Sequence, residues 1–407
     1  MLEIKKGTSS DIPAAIEFLK RMHASVKQSW FQVMADGTHP TTDITDFVIA
    51  ADSSGNIAAL VICQPYHYVY DGCVYKGIRL EEFFCTREHN NRETVGKILD
   101  KIKIHAEEIG AFTEHAHGQD ALYGKYDFFG YTFGLPVEMD GYTFMIQDEE
   151  AGNDFVIEEA SDDDIPKMAE LYKQTYKRNL MATVIDYNEI SYIKNIYGNL
   201  GLYNCKFFVI KSSTGTVCGF FLTQTSDKYM FMLELDNSCS FHQIRPFLMA
   251  HYKNYGLNRM PLFLGKTHPA YMVFKGFFQQ ESFTESGYIK IYNIPKFLMK
   301  ISGVLSKRLA HSPYAFLTRT FTMAMHNHDD VLRFEFVQGK LVDVSHADCH
   351  TGEVNIERDR FIRLLFGRVS PQEMEDENYL YAFADNDCRN IFEILFPKMQ
   401  SHLISIN

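Results

Sequence analysis

The chain has 407 residues, 46% of them apolar and 23% charged, with a formal net charge of -12. That length exceeds one ordinary core and predicts two or three domains of a soluble globular protein. The acidic balance disfavours nucleic acid, no apolar run approaches the ~20 residues of a membrane helix, and Met1-Leu2-Glu3-Ile4-Lys5-Lys6 lacks the pattern of a secretory signal. The eight cysteines lack paired spacing, which fits reduced thiols in a cytoplasm.

Leu2-Glu3-Ile4 reads as a strand. Ser10-Asp11-Ile12-Pro13, a polar cap followed by proline, opens a helix that continues from Ala14 to Met22. Phe47-Val48-Ile49, the turn Ser53-Ser54-Gly55 and Ile57 predict a hairpin. From Lys76 to Gly134 the pattern is strand, loop, helix, strand and short helix. Ile78 to Cys85 is apolar enough to lie inside a sheet. Thr86 to Gly96 reads as a loop, and the helix follows from Lys97 to His105 with Ile98, Leu99, Ile102 and His105 on one face. A helix opening from such a loop aims backbone N–H groups and its positive dipole end at one place, which suits a pyrophosphate. Glu114-His115-Ala116-His117 ends a second strand and puts both histidines on one face. One of them can line a cleft; with no third ligand suitably spaced, no metal is expected.

The opening phrase then returns. Asp11-Ile12-Pro13 is matched by Asp164-Ile165-Pro166, and the first hairpin by Phe208-Val209-Ile210, Thr214-Gly215 and Val217. Leu80-Glu81-Glu82-Phe83-Phe84 is answered by Met232-Leu233-Glu234-Leu235-Asp236, and Phe129-Gly130-Tyr131 by Lys275-Gly276-Phe277. This is an α/β unit built twice, over 1–150 and 151–292. The second copy has no glycine in its loop from Asn237 to Pro246, and Met272 stands where the first has Tyr126. It reads as a packing and substrate-wall unit without a coenzyme of its own. Over 293–407 the pattern changes. A helix opens at Pro295, and Val331 to Phe336 alternates, turns at Gln338-Gly339 and returns through Leu341 to Val344. Gly352 to Ile356 and the amphipathic Arg358 to Gly367 follow.

The stretch Asn91-Arg92-Glu93-Thr94-Val95-Gly96 resembles the acetyl-coenzyme A loop of the GNAT N-acetyltransferases, whose pattern is Gln/Arg-x-x-Gly-x-Gly/Ala. The final glycine fits; Asn91 replaces Gln or Arg, and Thr94 replaces the first glycine, where a β-branched residue resists positive φ. Ala121 to Tyr131 is similar to the closing helix of that family, with its Tyr-x-x-x-Gly-Phe/Tyr motif. The region 293–407 resembles a sterol-carrier-protein fold. Two acetyltransferase units followed by such a domain is the layout of the enhanced-intracellular-survival (Eis) type, and the resemblance spans essentially the whole chain.

The resemblance implies an α/β (α+β) architecture of two tandem mixed-sheet units and a small α+β domain. It implies acetyl-CoA as co-substrate, with Phe84, Cys85, Thr86, Asn91, Arg92, Glu93, Thr94, Val95, Gly96 and Lys97 around it. Transfer is direct to a primary amine of a small cationic acceptor, aminoglycoside- or polyamine-like. Backbone N–H groups near Phe84, Cys85 and Thr86 polarise the thioester, and Tyr126, or Tyr123, protonates the leaving thiolate. The base is the terminal carboxylate of Asn407, or Glu81 or Glu82, of which strand alternation aims only one at the cleft; Glu82 is carried as the candidate. A homo-oligomer is implied by the resemblance alone. The alternative is a catalytically degenerate binding protein holding an apolar ligand or partner.

Overall fold

The computed structural model describes residues 2–22, 28–117, 132–133, 140–200, 205–224, 229–284, 287–326, 330–376 and 382–403. In chain order the first unit contributes β1 (Glu3–Lys6), α1 (Ile12–Arg21), α2 (Gln28–Ala35), β2 (Phe47–Ala51), β3 (Ile57–Tyr70), β4 (Cys73–Cys85), α3 (Arg92–Glu108), β5 (Thr113–His117), β6 (Thr132–Phe133) and β7 (Asp140–Met145). The second contributes β8 (Phe155–Glu159), α4 (Ile165–Arg178), β9 (Met181–Thr183), α5 (Tyr187–Asn195), β10 (Cys205–Ser212), β11 (Val217–Gln224), β12 (Met230–Leu235), α6 (Phe241–Asn254), β13 (Arg259–Phe263), α7 (Pro269–Phe274), β14 (Phe278–Thr284) and β15 (Gly287–Ile291). The fold is mixed α/β, as the sequence implies.

The first sheet runs β1-β2-β3-β4-β5-β15-β6, with β9 also paired to β3, and the second runs β14-β7-β13-β12-β11-β10-β8. Two strands have therefore changed places. β15 pairs antiparallel with β5 from Gly287↔His117 to Ile291↔Thr113. β7 lies between β13 and β14 in the second sheet. Each sheet is completed by backbone from the other half of the chain, a pairing that no local sequence pattern encodes.

Helix α1 buries Ala15, Phe18 and Leu19 at the i, i+3, i+4 spacing of one helical face. These side chains join Trp30 and Phe31 of α2, Met168 and Leu171 of α4, and Ile190 of α5 in one core against Ile49, Leu60, Phe220 and Met232 of both sheets. The inner faces of the two sheets thus share one apolar layer. On the outer face of the first sheet, α3 packs Val95, Ile98, Leu99 and Ile102 over Val61, Ile78 and Leu80. His105, on that same helical face, reaches Asp46 at 3.0 Å.

The β3–β4 hairpin is long because its turn is tight. Asp71 (φ 44) and Gly72 (φ 85) both take the left-handed conformation of a two-residue hairpin turn. Its tip carries Tyr70 and Tyr75 into the core of the third unit, where Tyr70 Oη donates to the Leu365 carbonyl at 2.6 Å and Arg308 pairs with Asp71 at 2.7 Å. That unit holds α8 (Ile294–Lys300), α9 (Ser302–Ala310), β16 (Arg319–His326), β17 (Asp330–Val337), β18 (Lys340–His346), β19 (Val354–Glu357), α10 (Arg358–Leu365), α11 (Pro371–Asp376), β20 (Ala382–Phe383) and α12 (Asn386–Leu395) around a sheet ordered β18-β17-β16-β19-β20.

A fragment of residues 1–150 lacks β15 to cover β5 and leaves β7 without β13 or β14, so two hydrogen-bonding edges stand open. It is expected to aggregate and to show no cooperative transition in urea followed by circular dichroism. A soluble fragment with a sharp transition contradicts the stabilising role of the exchange.

Candidate functional site

β4 lies between an antiparallel neighbour and a parallel one, and it leaves the parallel one first. It pairs with β5 only from Gly77↔Thr113 to Leu80↔Ala116, whereas its ladder with β3 continues to Ala59↔Cys85. Among the described residues the two parallel strands are not paired past Leu80. The ladder to β3 slips at the same level: Ile62 faces Glu81 and Val61 faces Phe83, so Glu82 is the extra residue of a β-bulge. The bulge resets the alternation. Glu81 and Phe84 lie on the inner face with Ile62 and Leu60, while Phe83 and Cys85 pack toward α3. Only the backbone of Glu82 is among the described features.

The amide directions correct one expectation. Thr86 N–H donates to the Ala58 carbonyl at 2.9 Å. By antiparallel alternation the Phe84 amide also faces β3, and those of Phe83 and Cys85 face the β5 side. Of the expected trio, only Cys85 points its amide into the parting.

The stretch after β4 differs from the loop expected over Thr86 to Gly96. Helix α3 starts at Arg92, and Asn91 is its N-cap, with Oδ1 accepting the Thr94 N–H at 3.0 Å. Asparagine is among the best capping residues, and of the capping candidates after the strand it is Asn91 that starts the helix. Arg92, Glu93, Thr94, Val95 and Gly96 are helical, and Thr94 therefore needs no positive φ. Val95 is buried under the sheet; Arg92, Glu93 and Lys97 are exposed. Glu93 is tied to Lys97 at 2.6 Å, which lowers the pKa of its carboxyl and compensates its charge beside the positive helix end. Ahead of the cap, Thr86 Oγ1 lies 2.9 Å from His89 Nδ1. A helix of 17 residues thus opens beside the parted strands, flanked by the cations of Arg87, Arg92 and Lys97.

The inner face at the parting carries buried polar groups that sequence reading only partly found. Arg79 Nε stands 2.5 Å from Glu81 Oε1, both side chains below a tenth exposed. Across the parallel register Arg79 faces His115, which stacks on Tyr68 at 4.3 Å and sets Nε2 2.9 Å from Thr113 Oγ1. Burial, with Arg79 adding to it, pushes His115 down to about 3, so the imidazole is neutral. Gly77 permits this packing: a Cβ there would meet Thr113 Oγ1 at 2.6 Å and the Tyr68 ring at 2.9 Å. Arg79 escaped notice because it sits in a strand read as apolar.

Next to this face a cavity of about 20 Å³ is lined by His39, Tyr66, Thr183, Ile185, Glu189 and Tyr192, from both units. His39 Nδ1 accepts the Thr41 N–H at 3.1 Å, and burial pushes this ring to about 3. Glu189 caps α5 together with Asp186, taking the Asp186 N–H at 3.0 Å. Burial, then the hydrogen bond with the Asp186 carboxyl, pushes Glu189 up to about 7. The local sequence marks Glu189 only as the N3 residue of a capping box with Asp186, and the fold brings it to this cavity.

Tyr123, Tyr126 and Asn407 lie outside the described residues. Segment 400–403 runs parallel to β9, with Ala182 bridged to His402, so it extends the first sheet beyond β9. Among the described residues no group of three or more His, Cys, Asp or Glu side chains is placed to hold a metal, and no helix is long and apolar enough to cross a membrane.

No family model matches the sequence, and no curated protein does. Solved structures do match. A probable N-acyltransferase from Enterococcus faecalis V583 superposes with a TM-score of 0.72 at 10% identity over 100% of both chains. A GCN5-related N-acetyltransferase from Kribbella flavida gives 0.71 at 11% identity over 100% of both. Eis1 from Mycobacterium abscessus gives 0.62 at 10% identity over 98% of each. The chain shares their fold. The likeness covers the whole chain.

Two outcomes follow from the buried charges. Glu81→Ala leaves Arg79 buried without its partner and is expected to cost about 3–5 kcal/mol in urea denaturation, while the double change Arg79→Met/Glu81→Leu recovers most of that loss. Glu189 binds a proton more tightly in the folded chain, from its ordinary 4.5 up to about 7. Across that window the folded state holds more protons, so this group makes stability fall as pH rises. Glu189→Gln removes the effect, and its melting temperature relative to the unaltered chain should climb between about pH 5 and about pH 8. A difference independent of pH contradicts the assignment.

Proposed function

We propose that the protein is an acyl-CoA-dependent N-acyltransferase with acetyl-CoA as its co-substrate, acting on a primary amine of a small cationic acceptor. The observation that carries the reading is the parting of β4 from β5 beside the start of α3, in a chain that shares the acetyltransferase fold along its length. The diphosphate suits the α3 start, where the helix dipole is joined by Arg87, Arg92 and Lys97. Glu93, already paired with Lys97, does not oppose it strongly.

The thioester supplies the acetyl group. The amine nitrogen bonds to the carbonyl carbon, the carbon–sulfur bond breaks, and the ammonium proton passes to a base while the thiolate takes one from an acid; the products are an amide and a free thiol. Tyr126, or Tyr123, is the acid in this reading. The base is the Asn407 carboxylate or one of Glu81 and Glu82. Glu81 lies on the acceptor face, where Arg79 holds its charge in place, and this favours a positioning part for the pair. The course of segment 400–403 along β9, toward Tyr66 and Gln64 of β3, supports the Asn407 carboxylate. Neutral His115 and the aromatic rings of Tyr66 and Tyr192 lie on the acceptor side beside the Arg79–Glu81 pair, and Glu189 there gives up its proton to serve as counter-charge when a cationic amine binds. The net charge of -12 draws such an acceptor in.

In this reading 1–150 is the catalytic unit, 151–292 a wall without its own coenzyme, and 293–407 a sterol-carrier-like unit, in a cytoplasmic homo-oligomer. The Asn91 cap favours a second reading: because it occupies the Thr94 amide, the helix start offers one donor fewer to a phosphate, as in a binding protein that no longer turns over coenzyme.

Calorimetry with acetyl-CoA, followed by a thiol-release assay over a panel of amines, separates the two. The expected result is binding that weakens roughly tenfold or more in Arg92→Glu, with thiol release on small polyamines or aminoglycosides. No heat at millimolar acetyl-CoA sinks the enzyme reading.

A further inference from the structure

The second unit repeats the parted strands of the first, and its parting is filled. Among the described residues β12 and β13 are parallel neighbours joined only at Met230↔Leu262. Glu234, the counterpart of Glu82 in the repeat, points to the inner face there and is bonded to Arg178 and Thr175. His268 donates from Nε2 to the Leu233 carbonyl at 2.9 Å and accepts the Ala270 N–H on Nδ1 at 3.2 Å. His402 closes the space, leaving a cavity of about 10 Å³ among Thr175, Arg178, Glu234, Thr267 and His268. That is room for about one water molecule.

Segment 399–403 is gripped from both sides as it passes. On one side Gln400 Oε1 accepts the Thr267 N–H at 2.9 Å. Gly265 (φ +74) makes way for that side chain, since a Cβ there would stand 2.0 Å from Gln400 Nε2. On the other side the Leu180 N–H donates to the Gln400 carbonyl at 2.8 Å, the His402 N–H to the Met181 carbonyl at 2.8 Å, and the Met181 N–H to Ser401 Oγ at 3.3 Å. Met399 N–H meets the Gly367 carbonyl of the third unit at 3.1 Å. Ser401, His402 and Leu403 are buried. β9 itself is hydrogen-bonded to β3, and one residue further Val184 N–H donates to the His67 carbonyl at 2.8 Å. At Leu403 the chain is therefore travelling along β3 toward the level at which β4 and β5 part.

We infer that the parted strands of the second unit are a clamp for segment 399–403, with Gln400 as the positioning residue that aims the chain at the acceptor face of the first unit. The aiming part rests on the acyltransfer reading; the clamp does not. The duplicated cleft thereby has a use that needs no coenzyme. Backbone bonds to Leu180 and Met181 hold the segment on one side, and the side chains of Gln400 and His402 occupy the opening on the other.

Two measurements on the full chain test this. Carboxypeptidase digestion reads the clamp. In the unaltered chain trimming is expected to halt before His402, and in Gln400→Ala to pass through it roughly tenfold faster, because the Thr267 N–H loses its acceptor. Gln400→Glu keeps an acceptor oxygen and should restore protection. Steady-state kinetics read the aiming: Gln400→Ala should lower kcat roughly tenfold with the acetyl-CoA KM within about twofold, and Gln400→Glu should recover it. Equal protection in Gln400→Ala and the unaltered chain overturns the clamp. A released segment with unchanged kcat overturns the aiming. If the unaltered chain transfers acetyl to no amine, the acyltransfer reading falls, and digestion alone decides the clamp.

Discussion

The exchange of β15 and β7 between the two sheets is the constraint on which the remaining structure depends. A hydrogen-bonded ladder fixes its partners to within a fraction of one residue, because a one-residue slip turns every side chain to the opposite face. With β15 laid on β5 and β7 laid on β13, the two sheets cannot separate or slide without breaking backbone bonds in both. The apolar layer between them, filled by α1, α2, α4 and α5, then has a fixed thickness and serves both sheets at once. Hydrophobic burial supplies the attraction, and the exchanged ladders supply the register that attraction alone lacks.

That register places groups from distant parts of the chain around the first parting. Glu189 and Thr183 come from the second unit, Tyr66, Arg79 and Glu81 from the first, and segment 400–403 from the third. The polar groups on this face survive burial through pairing: Arg79 with Glu81, His115 with Thr113, Glu189 with Asp186. Unpaired, each would carry a desolvation cost of several kcal/mol. The third unit contributes by holding the β3–β4 hairpin at its tip through Tyr70, Tyr75 and Asp71, which steadies the strand pair that carries the site.

The two copies diverge at the same structural point for a simple chemical reason. In the first, α3 is capped by Asn91 and flanked by exposed cations. In the second, α6 is capped by Ser240, whose Oγ accepts the Gln243 N–H at 3.3 Å and whose own N–H donates to Gln243 Oε1 at 2.9 Å. That reciprocal capping box satisfies the helix start internally. Arg178 neutralises Glu234 at the second parting, and the chain fills what space is left.

Much of this was legible in the sequence. Asp11-Ile12-Pro13 and Asp164-Ile165-Pro166 mark the same helix start twice, because proline after a polar cap has few other uses. Gly55 and Gly215, at φ 83 and φ 81, mark the same hairpin turn twice. The spacing of Ile98, Leu99, Ile102 and His105 gave the buried face of α3. These are local properties: dihedral preference, capping and period act over a few residues and are written in them. What the tertiary structure alone decided is everything set by pairing at a distance. The bulge at Glu82 depends on the ladder to β3 and put Phe84 on the inner face with Glu81. The start of α3 at Arg92 reflects which of several capping candidates the strand end could reach. The strand exchange, the Arg79–Glu81 pair beside His115, the meeting of Glu189 with Tyr66, and Gln400 in the second cleft join residues up to hundreds of positions apart. No period or propensity reports such contacts, because their energy exists only once the sheets have formed.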